Sequence, residues 1–114
     1  MKDVVRTDYS KVDSWTHNNG YTYRKYAETE HFIIWKARNE SNPNWKPAWD
    51  KYEIWKKHYI KNPDGSMVVS KVGDEQMGRY GWFCNDGTDA LKFSKRKMDD
   101  GDETWGEVVA VLAR

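Results

Sequence analysis

The sequence predicts an α+β fold: a mainly antiparallel sheet of about four or five strands, with one or two short helices towards the C-terminus. Three observations carry this. Strand-favouring aromatic and β-branched residues crowd the stretches 21–38, 67–72 and 80–84, the last two separated by a polar loop from Gly73 to Gly78. A strong turn, Asn62-Pro63-Asp64-Gly65, sits between two extended segments. Helical spacing with capping residues gathers after residue 87. At 114 residues the chain is read as a single small domain, 1–114.

Taken in order, Val5, Tyr9 and Val12 have helical spacing and suggest a short N-terminal helix, broken at Asn18-Asn19-Gly20. Tyr21, Thr22, Tyr23 and Tyr26, then Phe32, Ile33, Ile34 and Trp35, read as two strands joined by a turn near Ala27-Glu28-Thr29-Glu30. The run Phe32–Trp35 is apolar at every position, which predicts a central strand covered on both faces. Asn39 to Trp49, with Pro43 and Pro47, reads as a loop. Its two tryptophans, Trp45 and Trp49, either fold back to plug the core or stand out as contacts; plugging is the first expectation.

Residues 51–61 pull in two directions. Trp45, Ala48, Trp49, Tyr52, Trp55 and Tyr59 recur at helical spacing, and Pro47 suits a first helical turn. The Asn62–Gly65 turn, followed by Met67-Val68-Val69-Ser70-Lys71-Val72, argues instead for a strand over 51–61 paired with 66–72. The strand is the reading adopted, with a helix over about 46–57 as the alternative. Tyr80-Gly81-Trp82-Phe83-Cys84 is a further strand. Thr88 is placed as the cap of a helix over 89–98, whose Ala90, Leu91, Phe93 and Met98 face the sheet. Thr104-Trp105-Gly106-Glu107 matches a reciprocal capping box, and Trp105, Val108, Val109 and Leu112 continue as a helix over 105–113.

Composition sets the limits on function. Seven tryptophans and seven tyrosines must supply much of the apolar burial, because aliphatic residues are few. So many rings exceed what a small core needs, so some should reach the surface. Nineteen basic against 18 acidic residues leave a net charge of +1, without the basic excess of a general nucleic-acid binder. Cys84 is the single cysteine, so neither an internal disulfide nor a cysteine metal cluster is available. The opening Met1-Lys2-Asp3-Val4-Val5-Arg6 lacks the apolar run of a signal peptide, and no stretch is long enough to span a membrane. A cytoplasmic location is the expectation.

No catalytic or cofactor motif stands out. Cys84 lies in the apolar run Trp82-Phe83-Cys84, where a small buried hydrophobe is the ordinary role. His17, His31 and His58 lack metal-ligand spacing, and Asp99, Asp100 and Asp102 lack the rest of a calcium loop. The expectation is therefore no enzyme, no cofactor and no metal. What remains is the interleaving of rings with basic residues. On a strand, Trp55, Lys57 and Tyr59 would share one face. Such a face can pack under helices, grip a partner protein, or stack unpaired bases.

The segments Tyr52-Glu53-Ile54-Trp55, Asn62-Pro63-Asp64-Gly65, Gly81-Trp82-Phe83 and Thr88-Asp89-Ala90-Leu91-Lys92-Phe93 resemble a pattern in small, mostly unassigned accessory proteins of tailed bacteriophages. The pattern is a Tyr-Glu-aliphatic-aromatic strand, a hairpin, a Trp-bearing strand and a helix. It covers roughly residues 50–98. The resemblance implies a phage accessory protein, a group in which binding and blocking a host or defence protein is common. It carries over no site residue. The expectation is thus a binding protein that inhibits a host or defence protein, such as a CRISPR effector, in the host cytoplasm. Trp45, Trp49, Trp55, Lys57 and Tyr59 are the candidate partner-binding residues. A single-stranded nucleic-acid module using the same face is the alternative.

Overall fold

A computed structural model describes residues 5–114. Among the described residues, seven strands and two helices follow the order β1 (Ser14–Thr16), β2 (Tyr21–Glu28), β3 (Phe32–Asn39), β4 (Lys51–Lys56), β5 (Tyr59–Lys61), β6 (Met67–Val69), β7 (Gly81–Cys84), α1 (Gly87–Asp99) and α2 (Gly106–Leu112). The main sheet has the order β1-β2-β3-β4-β7, and every neighbouring pair in it is antiparallel. β5 and β6 form a separate two-stranded hairpin. The fold is α+β, as the sequence predicts. No helix is long and apolar enough to cross a membrane among the described residues.

The alternation of side chains across a strand splits the core into two layers. On one face, Phe32, Ile34, Ile54 and Cys84 pack under Ala90 of α1, Trp105, and Val108 and Val111 of α2. On the other, Tyr23, Ile33, Trp35, Ala37 and Trp55 pack against Val69 and Val72, with Tyr9, Val12 and Trp15 around them. β3 has neighbours on both edges and cover on both faces, so Phe32, Ile33, Ile34 and Trp35 are all at 0 % exposure. The apolar run thus marks the central strand, as expected.

The second face is covered by two poorly structured pieces that hold each other. The segment before β1 forms only a 3-10 turn, Tyr9–Lys11, where the Val5, Tyr9 and Val12 spacing predicts a helix. Asp8 Oδ1 accepts from Ser10 N at the head of that turn and from Val69 N at 3.1 Å on β6. Asn62 Oδ1 accepts from Arg6 N at 2.9 Å. A chain tied to the hairpin at both points has no need of helical hydrogen bonds. Close packing of the next segment depends on Gly81. A β-carbon there would lie 2.7 Å from Val72 Cγ1 and 2.9 Å from Met77 Sδ, so only glycine lets residues 72–77 press against β7.

Three local expectations are corrected. Residues 51–61 are not one strand paired with 66–72: the chain leaves the main sheet after Lys56, and only Tyr59–Lys61 pairs with Met67–Val69. β4 instead inserts between β3 and β7, burying Ile54 in one face and Trp55 in the other. Burial on two faces outweighs the continuity of a long hairpin. The helical alternative survives only as the 3-10 turn Pro47–Trp49, with Pro47 in its first position. The cap of α1 is Asp86, whose side chain accepts from Asp89 N at 2.8 Å, so α1 starts at Gly87 rather than under a Thr88 cap. At α2 the capping box does not close. Asp102 accepts from Thr104 N, a 3-10 turn Glu103–Trp105 comes first, and Glu107 turns away to His31.

Candidate functional site

The structure separates the residues that the sequence placed on one face. Trp55 is at 0 % exposure in the second core layer, and its Nε1 donates to Glu53 Oε2 at 2.5 Å. Lys57 has a side chain 9 % exposed, and its Nζ donates to Glu28 Oε2 at 2.7 Å. The same carboxylate takes Lys25 at 3.0 Å, and although burial works the other way, these two cations hold Glu28 below its ordinary range. Tyr59 is 51 % exposed, but on the hairpin. The period-two face breaks because the backbone turns at Lys57 and His58. Trp55 is a core residue, and the Lys57 charge is already paired.

Trp45 and Trp49 take the other outcome the sequence allowed: neither enters a core cluster. Trp45 Nε1 donates to Asp50 Oδ1 at 2.7 Å. Arg38 forks onto the same carboxylate, with both bonds at 3.1 Å. Burial of Asp50 pushes its pKa up, but the Arg38 and Trp45 hydrogen bonds outweigh it and leave the group below its ordinary range. A buried carboxylate held by three donors fixes the loop between β3 and β4 against the end of the sheet.

This anchoring builds a run of rings. Trp49 meets Trp45 edge-on at 5.8 Å between centroids, and Trp45 meets Tyr21 at 5.9 Å. Tyr21 reaches Phe83 at 6.5 Å. Trp49 is 43 % exposed and Phe83 44 %, while Trp45 and Tyr21 are half-buried between them. Lys46 Nζ lies 5.7 Å from the Trp49 ring centroid. The edge-to-face contacts suit aromatic quadrupoles and hold the rings without side-chain freedom. Sequence reasoning missed Tyr21 and Phe83 as members of this surface. Phe83 alternates with Trp82 and Cys84 along β7, so it had to face away from the helices. That it stays open follows from β7 being an edge strand, which only the strand order reveals.

Other candidate chemistry is spoken for. Cys84 is buried in the helix-side core, and burial, followed by the charges of Asp89 and Asp86, pushes its thiol up to about 11. A thiol so raised is a poor nucleophile. Glu30, His31 and Glu107 place possible metal-ligating atoms within 4.8 Å of one another. Glu107, however, already accepts from His31 N at 2.9 Å and contacts His31 Nδ1 at 2.5 Å, pinning α2 to the β2–β3 turn. Asp102 in the acidic turn is taken by Lys56 Nζ at 2.6 Å, whose bond is the main reason its pKa falls to about 2. The chain matches no family model, no curated protein and no solved structure.

Proposed function

We propose that this protein is a non-enzymatic binding protein that acts by covering part of a partner protein, and that Trp49, Trp45, Tyr21 and Phe83 make the contact. The observation that carries the reading is the continuity of these four rings, with both ends of the run open to solvent. Exposed tryptophan and other aromatic rings held rigid are the side chains that dominate protein interfaces, because they bury much area and lose little entropy. The lock of Trp45 on Asp50 supplies that rigidity before any partner arrives. Trp45 and Trp49 therefore remain from the five residues singled out in the sequence, joined by Tyr21 and Phe83.

The resemblance to phage accessory proteins supports a host or defence protein as the partner, a CRISPR effector being one example, with inhibition as the effect and the host cytoplasm as the place. The Trp55 ring is enclosed and Lys56 and Lys57 are paired, so of the face Trp55, Lys57 and Tyr59 only Tyr59 is open to stack a base, which favours the protein partner over the single-stranded nucleic-acid alternative.

The test is capture from a bacterial lysate with the wild-type chain and with Trp49→Ala and Phe83→Ala in parallel. A protein held by the wild type should be lost from both variants, each weakening the complex by about 2 kcal/mol or more, near 30-fold. Both variants should keep the wild-type melting temperature, since neither ring is enclosed. Equal retention by all three chains would overturn the reading. Retained single-stranded nucleic acid, released steeply by salt, would replace it with the alternative.

A further inference from the structure

We propose that the pocket on the hairpin side of the sheet, floored by Glu53 and walled by Trp15 and Tyr23, binds a small organic ammonium group. The pocket has a volume of about 490 Å³ and opens between the β1–β2 end of the sheet and the segment 71–74. It is distinct from the aromatic run proposed to meet a partner, and does not depend on that reading.

The first observation is Glu53. It stands in the middle strand pair, between Trp35 on β3 and Phe83 on β7, and is only 6 % exposed. A carboxyl buried in such company is unfavourable unless something offsets it. Oε2 accepts from Trp55 Nε1, while the other oxygen has no donor among the described residues, and Glu53 lines the pocket. No cation lies within ion-pairing distance of it among the described residues.

The second observation is the wall. Trp15 and Tyr23 stack with centroids 4.1 Å apart and planes 4° from parallel. The Trp15 ring carries a cation already: Lys71 Nζ lies 4.5 Å from its centroid. A ring face with a buried acid nearby is the arrangement that recognises ammonium groups, through the ring quadrupole and the opposite charge together. Lys71 is an exposed residue on a connecting segment, so its ammonium marks the cation position and can swing out of it. Trp15 Nε1, in the same wall, is buried and has no acceptor among the described residues, another group whose placement the fold does not explain.

Charge balance decides the sign of the ligand. Glu53 and Asp74 face the pocket from β4 and the 71–74 segment, against Lys71, with His17 from the β1–β2 turn and the Tyr23 phenol at its rim. Burial, then the Glu53 charge, pushes the Tyr23 hydroxyl up to about 12, so it stays a neutral phenol. With Lys71 displaced, two carboxyls remain, and among the described residues that line the pocket only His17 could carry an opposing charge. An anion would meet both acids; an ammonium would meet both acids and a tryptophan face.

The test follows the indole N–H signals of Trp15 and Trp55 by NMR while choline, N-acetyl-lysine amide or acetate is added. Saturable shifts of these two signals with choline or the lysine amide, at about 10 mM or below, are expected, with acetate inert. Whichever of the two ammonium probes binds tighter tells whether a free quaternary amine or a protein-borne lysine is the natural source. Glu53→Gln keeps an acceptor for Trp55 and should weaken binding at least about tenfold. Lys71→Met removes the resident cation and should strengthen binding about threefold or more. No saturable shift in the wild type, equal binding by Glu53→Gln, or preference for acetate would each overturn the proposal. Should Glu53→Gln fail to fold, Lys71→Met decides alone: tighter binding supports the site, and unchanged or weaker binding overturns it.

Discussion

Glu53 occupies a position where a β-branched or aromatic residue would serve the sheet better. Its neighbours across the strands are Trp35 and Phe83, and the one hydrogen bond to its carboxylate among the described residues comes from Trp55. Burial is the largest influence on its pKa and raises it; Trp55 and the charges of His17 and Lys71 offset this in part, and Asp74 adds to it. A carboxyl whose folded pKa lies above its unfolded one favours the fold while protonated. That stability is fully present below the ordinary glutamate range and is lost as pH rises through the raised value. Glu53→Gln should therefore raise the melting temperature at pH 7 and change it little at pH 4, a difference that thermal unfolding at the two pH values reads directly. Equal effects at both pH values would mean that the carboxyl is not disfavoured by its surroundings. Asp102 behaves in the opposite sense: Lys56 and Thr104 lower its pKa to about 2, so its contribution is present above the ordinary aspartate value and fades as pH falls towards that figure.

At the scale of elements, side chains end and start structure where the sequence pattern alone misplaces the boundary. Asp86 and Thr88 are both acceptable helix caps, and the sequence offers no way to choose. The structure chooses Asp86, because the chain leaving β7 is still extended there, with φ −159° and ψ 178°. Asp86→Ala should lower stability by about 1 kcal/mol, and Thr88→Ala by no more than about 0.5 kcal/mol, as measured by chemical denaturation. The reverse order would place the cap at Thr88. Asp102 and Glu107 show the same competition at α2. The residues of a local capping box are present, but Glu107 finds His31, 76 residues away in sequence, and Asp102 caps the 3-10 turn that leads into α2, which has no side-chain cap of its own. In β5–β6 the local signal prevails: Gly65, at φ +90°, closes the Asn62–Ser66 turn, with Asp64 Oδ1 accepting from Ser66 N at 2.9 Å.

The whole molecule is a sheet with unequal covers. Two helices lie on one face, whereas a 3-10 turn, a short hairpin and the 71–77 segment lie on the other. The second cover is held by a few polar ties, of which Asp8 to Val69 is one. Asp8→Ala should speed amide exchange at Val69 by about tenfold or more, while the amides of Ile33 and Trp35 in β3 keep their protection. Exchange rising equally in β3 would mean that the hairpin and the sheet open as one unit. This looser cover frames the ammonium pocket, and the same face of the sheet carries the aromatic run at its end. The α+β class, the central place of Phe32–Trp35 and the hairpin at Asn62–Gly65 were readable in the sequence, because alternation, apolar runs and turn residues act over a few positions. So was the surplus of aromatic rings. Which rings are shut in and which stay open was not, since that depends on strand order: β4 is flanked on both sides and encloses Trp55, while β7 is an edge and leaves Phe83 bare. Burial is fixed by neighbours distant in the chain, and those neighbours exist only once the strands have paired.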